Sequence, residues 1–132
     1  MSQRETDLAW AAGIVEGEGH AGFYLYHAVL HKDGYWRKPR GSLQVAVDQS
    51  DPAQDMLYAL QSVLGCGLVR TPSTDKWYES RVKSGHKHRR PYRWRAHGAD
   101  GAATIRLLLP YMRTAYKREQ FKQALEAWEA YQ

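Results

Sequence analysis

The sequence predicts an α+β domain with the element order αββαββα, in which a four-stranded antiparallel sheet carries helices on one face. A helix signal opens the chain at 6–17, a cleanly alternating strand covers 42–48, and a long basic hairpin is indicated over 76–95. Apolar residues at helical spacing fill the segments between and after these strands. Because the helices cover one face, the other is expected to be open.

Composition points to a polyanionic partner. The 132 residues form one domain, 1–132, and carry a net charge of +5. The charge is asymmetric, because residues 1–66 hold five Lys and Arg against eight Asp and Glu, whereas residues 67–132 hold fourteen against six. A basic surface of this kind is typical of proteins that bind nucleic acid.

Cysteine content and hydropathy indicate a compartment. A single cysteine, Cys66, excludes an internal disulfide and suits a reducing environment. We find no secretion signal and no apolar run of the ~20 residues needed to cross a bilayer. We therefore expect an intracellular protein of the cytoplasm, nucleoid or an organelle matrix, without membrane contact.

The first helix is expected to begin near Thr6. Ala9, Gly13 and Gly17 then fall four residues apart on one helical face. Side chains this small allow another backbone to approach closely. The pattern predicts that this face packs against a partner helix.

Two carboxylates, Glu16 and Glu18, follow where flanking glycines end the helix. Negative charge there opposes the helix dipole, so the carboxylates are better placed to hold a cation than to stabilise the helix. Residues 17–22 also fit G-x-G-x-x-G, but a dinucleotide site needs its glycines to open a helix. Here they close one, which argues against nucleotide binding.

The remaining elements follow from periodicity. A strand from Phe23 to about Leu30 leads to a turn at 33–34, and 42–48 alternates apolar and polar residues. A helix is expected from Asp51–Pro52, with Gln54 completing a capping box. The strand 68–70, the basic hairpin, a helix near 100–109 and a last helix from about Lys117 complete the order.

The open face is expected to hold residues that bind phosphates and base edges. The sheet residues predicted there are Tyr24, Tyr26, Arg40, Ser42, Gln44, Arg70, Arg93 and Arg95. The basic residues predicted to extend this surface are Arg37, Lys38, Arg81, Lys83, Arg89 and Arg90.

Residues 11–19, Ala-Ala-Gly-Ile-Val-Glu-Gly-Glu-Gly, resemble the motif of the LAGLIDADG homing endonucleases, whose common variants end in Asp-Gly-Glu-Gly. The resemblance implies the same αββαββα fold, with a saddle-shaped sheet on double-stranded DNA and the motif helices of two subunits packed at a twofold axis. It also implies an origin in a mobile intron or intein. With one motif per chain, cutting both strands requires a homodimer on a near-palindromic target.

The resemblance also implies roles for individual residues. Glu18 corresponds to the catalytic metal ligand, and the backbone carbonyl before it belongs to Gly17. Gln49 corresponds to a glutamine that orients water, and Lys117 to a lysine that stabilises charge at the scissile phosphate. The implied cofactor is Mg²⁺, with Mn²⁺ or Ca²⁺ able to substitute for binding, and no small-molecule cofactor is expected.

Simpler interpretations stay open at this stage. Glu16 is interpreted as structural or as supporting the site, and Glu18, Gln49 and Lys117 could each be an ordinary solvated residue. Gln44 and Gln49 differ in strand parity, so a bulge would be needed for both to face DNA. The hypothesis is a site-specific, metal-dependent DNA endonuclease; the alternative is a catalytically inactive relative that binds DNA or acts as an RNA-splicing maturase.

Overall fold

The structure is a computed structural model that describes residues 2–71 and 90–132. In chain order its elements are α1 (Gln3–Glu18), β1 (Gly19–Tyr26), β2 (Val29–Leu30), β3 (Trp36–Arg37), β4 (Arg40–Ser50), α2 (Gln54–Leu64), β5 (Leu68–Arg70), β6 (Pro91–His97), α3 (Gly98–Leu108) and α4 (Ala115–Tyr131), with a 3₁₀ turn at Leu109–Tyr111. None of the helices in these ranges has the length and apolar character that crossing a membrane requires.

The main sheet has four strands in the order β1-β4-β6-β5, and each neighbouring pair is antiparallel. β2 and β3 form a separate two-stranded ribbon at the turn that links β1 to β4. The predicted α+β architecture is confirmed. It follows from the alternation in β4, the central strand, which pairs with both β1 and β6.

The core lies between one face of this sheet and the helices. Leu43, Val45 and Val47 alternate along β4 and are fully buried. Trp94 of β6 pairs with Val47 of β4 and is fully buried, as is Phe121 of α4. Burying these side chains contributes roughly 1.5–3 kcal/mol each, which fixes which sheet face meets the helices.

Two predicted element starts are wrong. β1 begins at Gly19, directly after α1 and four residues before the predicted Phe23, because its first half is glycine-rich and carries little strand signal. α1 begins at Gln3 rather than near Thr6, since the Ser2 hydroxyl accepts the backbone N–H of Glu5 at 3.1 Å and caps the helix.

The predicted capping box at α2 is also absent. The backbone N–H of Ala53 donates to the Ser50 carbonyl at 2.8 Å, so Pro52 lies in a turn and the helix starts only at Gln54. Leu57, Leu60 and Leu64 form its buried stripe, and Gly65 ends it in the left-handed conformation.

Candidate nucleic-acid interface and active site

The register places one set of side chains on the sheet face opposite the core. Tyr24 pairs with Ser42, and Tyr26 pairs with Arg40. Since side chains alternate between the two faces of a strand, these pairs lie on the face opposite the buried Leu43. Across the central pair, Asp48 faces Arg93. This open face brings together all the sheet residues named above for it: Tyr24, Tyr26, Arg40, Ser42, Gln44, Arg70, Arg93 and Arg95. Their contacts with DNA stay a prediction.

Two tyrosines belong to this face. The Arg40 guanidinium is 5.0 Å from the centre of the Tyr26 ring, a cation–π contact that orients both side chains. Tyr24 leans back over Gly22, where an added Cβ would lie 2.7 Å from the tyrosine hydroxyl. A larger residue at position 22 would require the Tyr24 side chain to move. Both phenols remain more than two fifths exposed, so they are accessible to a ligand on the sheet.

A concave site of about 680 Å³ lies at the β4–β6–β5 side of the face. It is lined by Asp48, Leu68, Arg70, Thr71, Pro91, Tyr92, Arg93, Arg95 and His97. Burial lowers the pKa of His97, and the charges of Arg95 and Arg70 lower it further. At neutral pH the imidazole is therefore uncharged, and the positive charge of this site comes from arginines.

Of the other predicted basic residues, Arg37, Lys38 and Arg90 are described, and they lie outside the four-stranded sheet. Arg37 is exposed in the two-stranded ribbon, and Lys38 is exposed just after it. The Arg90 carbonyl accepts the backbone N–H of Asp51 at 3.0 Å. Arg81, Lys83 and Arg89 lie outside the described residues.

The end of α1 presents an exposed carboxylate. Glu18 is the last residue of the helix, and in the described ranges its side chain makes no hydrogen bond or ion pair. The Gly19 N–H closes the helix on the Val15 carbonyl. The Gly17 carbonyl belongs to the last turn, whose later carbonyls receive no donor from the helix itself. The Glu18 carboxylate and this carbonyl are the metal ligands predicted for one chain.

Lys117 of α4 reaches this point from the other end of the sequence. Its ammonium donates a hydrogen bond to the backbone carbonyl of Gly19, the residue after Glu18. The contact joins the first turn of α4 to the start of β1. The structure thus ties Lys117 to the residue that follows Glu18, and the catalytic role of each stays a prediction.

Gln49 lies elsewhere in the register. Pairing runs without interruption from Gln44 opposite His97 to Ser50 opposite Pro91, so the bulge considered for this strand end is absent. Gln49 has the parity of the core face, is partly buried and pairs with Tyr92. It is two residues, or about 7 Å along the strand, beyond Val47, the partner of Gly19. Gln49 and Gln44 therefore point to opposite faces.

Glu16 has a structural role. Its carboxylate accepts the backbone N–H groups of Arg113 at 2.9 Å and Thr114 at 2.7 Å, in the turn before α4. Burial alone would raise the pKa of Glu16, but these hydrogen bonds and the charge of Arg113 outweigh it, so the pKa lies below its ordinary value. The interpretation of Glu16 as structural agrees with these contacts.

One face of α1 is not covered by the described residues. Ala9 is half-buried, whereas Gly13 and Gly17 are exposed, and a Cβ added to either glycine would meet none of the described atoms within 4 Å. Apolar character alone would assign Trp10 to the core, yet it is 40% exposed beside them. Composition does not tell a core face from an apolar surface face.

The described residues of one chain offer few ligands for a metal ion. Among the residues that the structure describes, no three His, Cys, Asp or Glu side chains come together. Glu18 and the Gly17 carbonyl nevertheless suit Mg²⁺, which takes few protein carboxylates and fills its remaining positions with water and phosphate oxygens. The donor set fits a metal held jointly with a nucleic acid.

The comparisons with solved structures identify the fold. Two structures of the homing endonuclease I-CvuI in complex with DNA are 25% identical to this chain, with TM-scores of 0.70 and 0.69. The matched regions cover 97% and 96% of this chain, and 69% and 68% of the I-CvuI chains, respectively. The LAGLIDADG meganuclease I-AabMI bound to uncleaved DNA is 18% identical, with a TM-score of 0.63 over 92% of this chain and 35% of its own. The chain has the LAGLIDADG homing-endonuclease fold.

The family resemblance inferred from residues 11–19 is thus confirmed at the level of the whole LAGLIDADG domain. No family model matches the sequence, and no curated protein matches it. The short motif and the element order therefore carry information that full-length sequence comparison does not recover.

Three polar residues of the open face were not named as functional from the sequence. His20 pairs with Ala46, directly after the motif, and His97 pairs with Gln44. Asp48 had been placed by its alternation but was not considered functional. Strand parity alone would have found His20, had β1 been started at Gly19.

Proposed function

We propose that this chain is a site-specific double-strand DNA endonuclease that acts as a homodimer with a divalent metal. The observation that carries the proposal is the position of Glu18. This exposed carboxylate ends the glycine face of α1 and directly precedes the strand that forms one side of the arginine-rich open face. Lys117 donates to the backbone carbonyl of the next residue, Gly19. A nuclease needs this combination of phosphate-binding surface, metal ligand and cation.

The open face supports DNA binding. Its arginines and tyrosines alternate on a surface that no helix of the described chain covers. I-CvuI, at 25% identity, is described in complex with DNA, in one case with Mg and without cleavage and in another with Ca. Much of the affinity would come from counterions displaced from phosphates, so binding should weaken steeply with salt.

The glycines of α1 support the homodimer. Nothing within the described chain requires a residue without a side chain at position 13 or 17. A second copy packed against this face would require it, and it would also cover Trp10. A twofold axis along this face brings together two Glu18 carboxylates, one for each DNA strand, and makes the target near-palindromic.

The proposed chemistry divides among few groups. A bound divalent metal, held by Glu18 and the Gly17 carbonyl, supplies activation of water and neutralisation of phosphate charge. Lys117, held in place by the Gly19 carbonyl, adds a positive charge at the scissile phosphate. Gln49, partly buried beyond Val47, would orient the attacking water by hydrogen bonding.

The test is cleavage of a plasmid that carries the uninterrupted form of the chain's own genomic insertion site. We expect linear product with MgCl₂ and none with EDTA. Glu18→Gln should abolish cleavage while the dissociation constant for the same DNA, measured in CaCl₂, is retained. Asp55→Asn, which changes an exposed acid on α2, is the matched control and should cut normally.

Two outcomes would refute parts of this proposal. Tight, specific binding without cleavage under Mg²⁺ or Mn²⁺ would identify an inactive DNA-binding relative or a maturase. A monomer on DNA, measured by sedimentation of the complex, would exclude the homodimer.

A further inference from the structure

An ion pair lies in the middle of the open face. The Arg93 Nε donates to Asp48 Oδ1 at 2.6 Å, and Nη2 donates to Oδ2 at 2.9 Å, so both oxygens engage one side of the guanidinium. The two residues are direct partners across β4 and β6. The side chains are 45% and 51% exposed, which places the pair at the surface of the sheet.

Asp48 distinguishes Arg93 from its neighbours. In the part of the chain that the structure describes, Arg70 and Arg95 line the same concave site without an ion pair to a carboxylate. The hydrogen bond from Arg93 to Asp48 raises the pKa of Arg93, with the charge of Asp48 acting in the same direction. Arg93 is therefore an arginine whose charge is balanced and whose orientation is fixed.

Stability does not account for this carboxylate. A solvent-exposed ion pair contributes little to folding. On a surface that binds phosphates, a negative charge also reduces affinity for any DNA. A function in recognition is needed to balance that loss.

The geometry of the guanidinium is suited to such a function in recognition. Arginine has five N–H donors in a planar fork. Asp48 occupies Nε–H and one Nη2–H, which leaves an outward fork made of Nη1–H and the second Nη2–H. Such a fork matches O6 and N7 of guanine in the major groove. A fixed, neutralised arginine is suited to a base edge, whereas a mobile, unpaired one is suited to phosphates.

We propose that Asp48 is a positioning residue that makes Arg93 the reader of one guanine in each half-site. The proposal rests on DNA binding by the open face, as proposed above. Asp48 holds the outward fork of Arg93 toward the bases and repels a phosphate that would otherwise capture it.

The experiment uses a pool of DNA duplexes with 24 randomised base pairs. Sequences are selected by binding to the full chain in CaCl₂, and dissociation constants are then measured for all four base pairs at each selected position, at two salt concentrations. Wild type should show a guanine preference, at a symmetric pair of positions, that Arg93→Ala removes. A bidentate arginine–guanine contact corresponds to discrimination of about 5- to 150-fold.

Asp48→Ala gives the decisive result. At that same position it should reduce the ratio of dissociation constants that defines the guanine preference to the square root of the wild-type ratio or less. It should also raise affinity for unselected DNA and steepen the salt dependence by about one phosphate contact, because Arg93 is released to the backbone. A residue that only supports the fold would not produce gains in non-specific affinity.

Matched variants separate charge from position. Asp55→Ala removes the same charge from the helix side of the domain and should leave base preference unchanged. Arg95→Ala removes an arginine two residues along β6 and should leave the preference at the Arg93 position intact. Asp48→Asn keeps the shape, and it replaces the alanine variant if thermal unfolding shows that the latter is not folded.

Two results would overturn the proposal. Undiminished guanine preference in a folded Asp48 variant, or uniform weakening on every sequence, refutes the positioning role while leaving DNA binding intact. Failure of wild type to select any sequence refutes the proposed function itself and this inference with it.

Discussion

The carboxylate of Glu16 accepts the backbone N–H of Thr114 at 2.7 Å, which ties the motif helix to the residue that precedes α4. Negative charge near the N-terminus of a helix is favourable, and the acceptor is shared with Arg113. We expect Glu16→Ala to lower the free energy of unfolding by about 1–2 kcal/mol, the usual effect of losing a cap. Urea unfolding at fixed protein concentration measures it, and an unchanged midpoint would contradict it.

The same contact predicts a pH dependence. The pKa of Glu16 is lowered on folding from an ordinary value of 4.5, so the folded state binds fewer protons than the unfolded state. Its stabilisation is therefore fully present above pH 4.5 and is lost as the pH falls through the folded pKa. The difference in unfolding free energy between wild type and Glu16→Gln should shrink below pH 4.5. A constant difference from pH 7 to pH 3 would show that Glu16 does not titrate in this way.

Gly67 contributes to stability through its backbone conformation and its packing against Trp94. It has φ of +88°, and an added Cβ would lie 2.3 Å from Trp94 Nε1, whose N–H donates to the Cys66 carbonyl. Gly67→Ala should cost about 2–5 kcal/mol, combining the left-handed conformation with overpacking. Gly34→Ala is the control, because Gly34 has φ of +87° with open space around it and should lose only about 1–2 kcal/mol. Equal losses in thermal or urea unfolding would remove the packing explanation.

The sequence predicted the structure best where the spacing of apolar residues and the chemistry of the side chains indicate the same element. The alternation of β4 predicted the central strand and the face it buries, and the motif predicted the end of α1. Both signals are local, and each is read from a dozen residues or fewer. The open-face residues then followed from parity alone, without knowledge of the neighbouring strands.

Contacts between distant segments could not be predicted from such signals. The Lys117 contact with Gly19 joins residues 98 positions apart, and the Asp48–Arg93 pair spans 45. Gln49 was expected to need a bulge, but the uninterrupted register with β6 turns it toward the helices. Side-chain pairing across strands depends on register, which periodicity within one strand does not define.

Lys117 offers a test of the active site that is independent of Glu18. Lys117→Met should reduce the single-turnover cleavage rate in MgCl₂ by about 10²–10³-fold, the usual effect of removing one group that stabilises transition-state charge. The dissociation constant in CaCl₂ should change little. Lys122→Met is the matched control, since Lys122 is an exposed lysine on the same helix, 4.0 Å from Glu126. A cleavage rate within twofold of wild type would assign Lys117 to the fold alone.

A substitution at Gly13 distinguishes the folding of one chain from the assembly of two chains. Because no atom of residues 2–71 or 90–132 lies within 4 Å of an added Cβ, Gly13→Leu should keep the fold of the chain, and helix propensity would favour it by about 0.5–1 kcal/mol. The larger side chain would hold two α1 helices apart, so we expect the dimer dissociation constant to rise at least tenfold and double-strand cleavage to fall with it. Ala103→Leu also introduces a leucine, at an exposed position of α3, and should do neither. Sedimentation equilibrium over a dilution series, with circular dichroism to confirm folding, decides the matter: a Gly13→Leu dimer as stable as wild type would mean that the two chains meet through another surface.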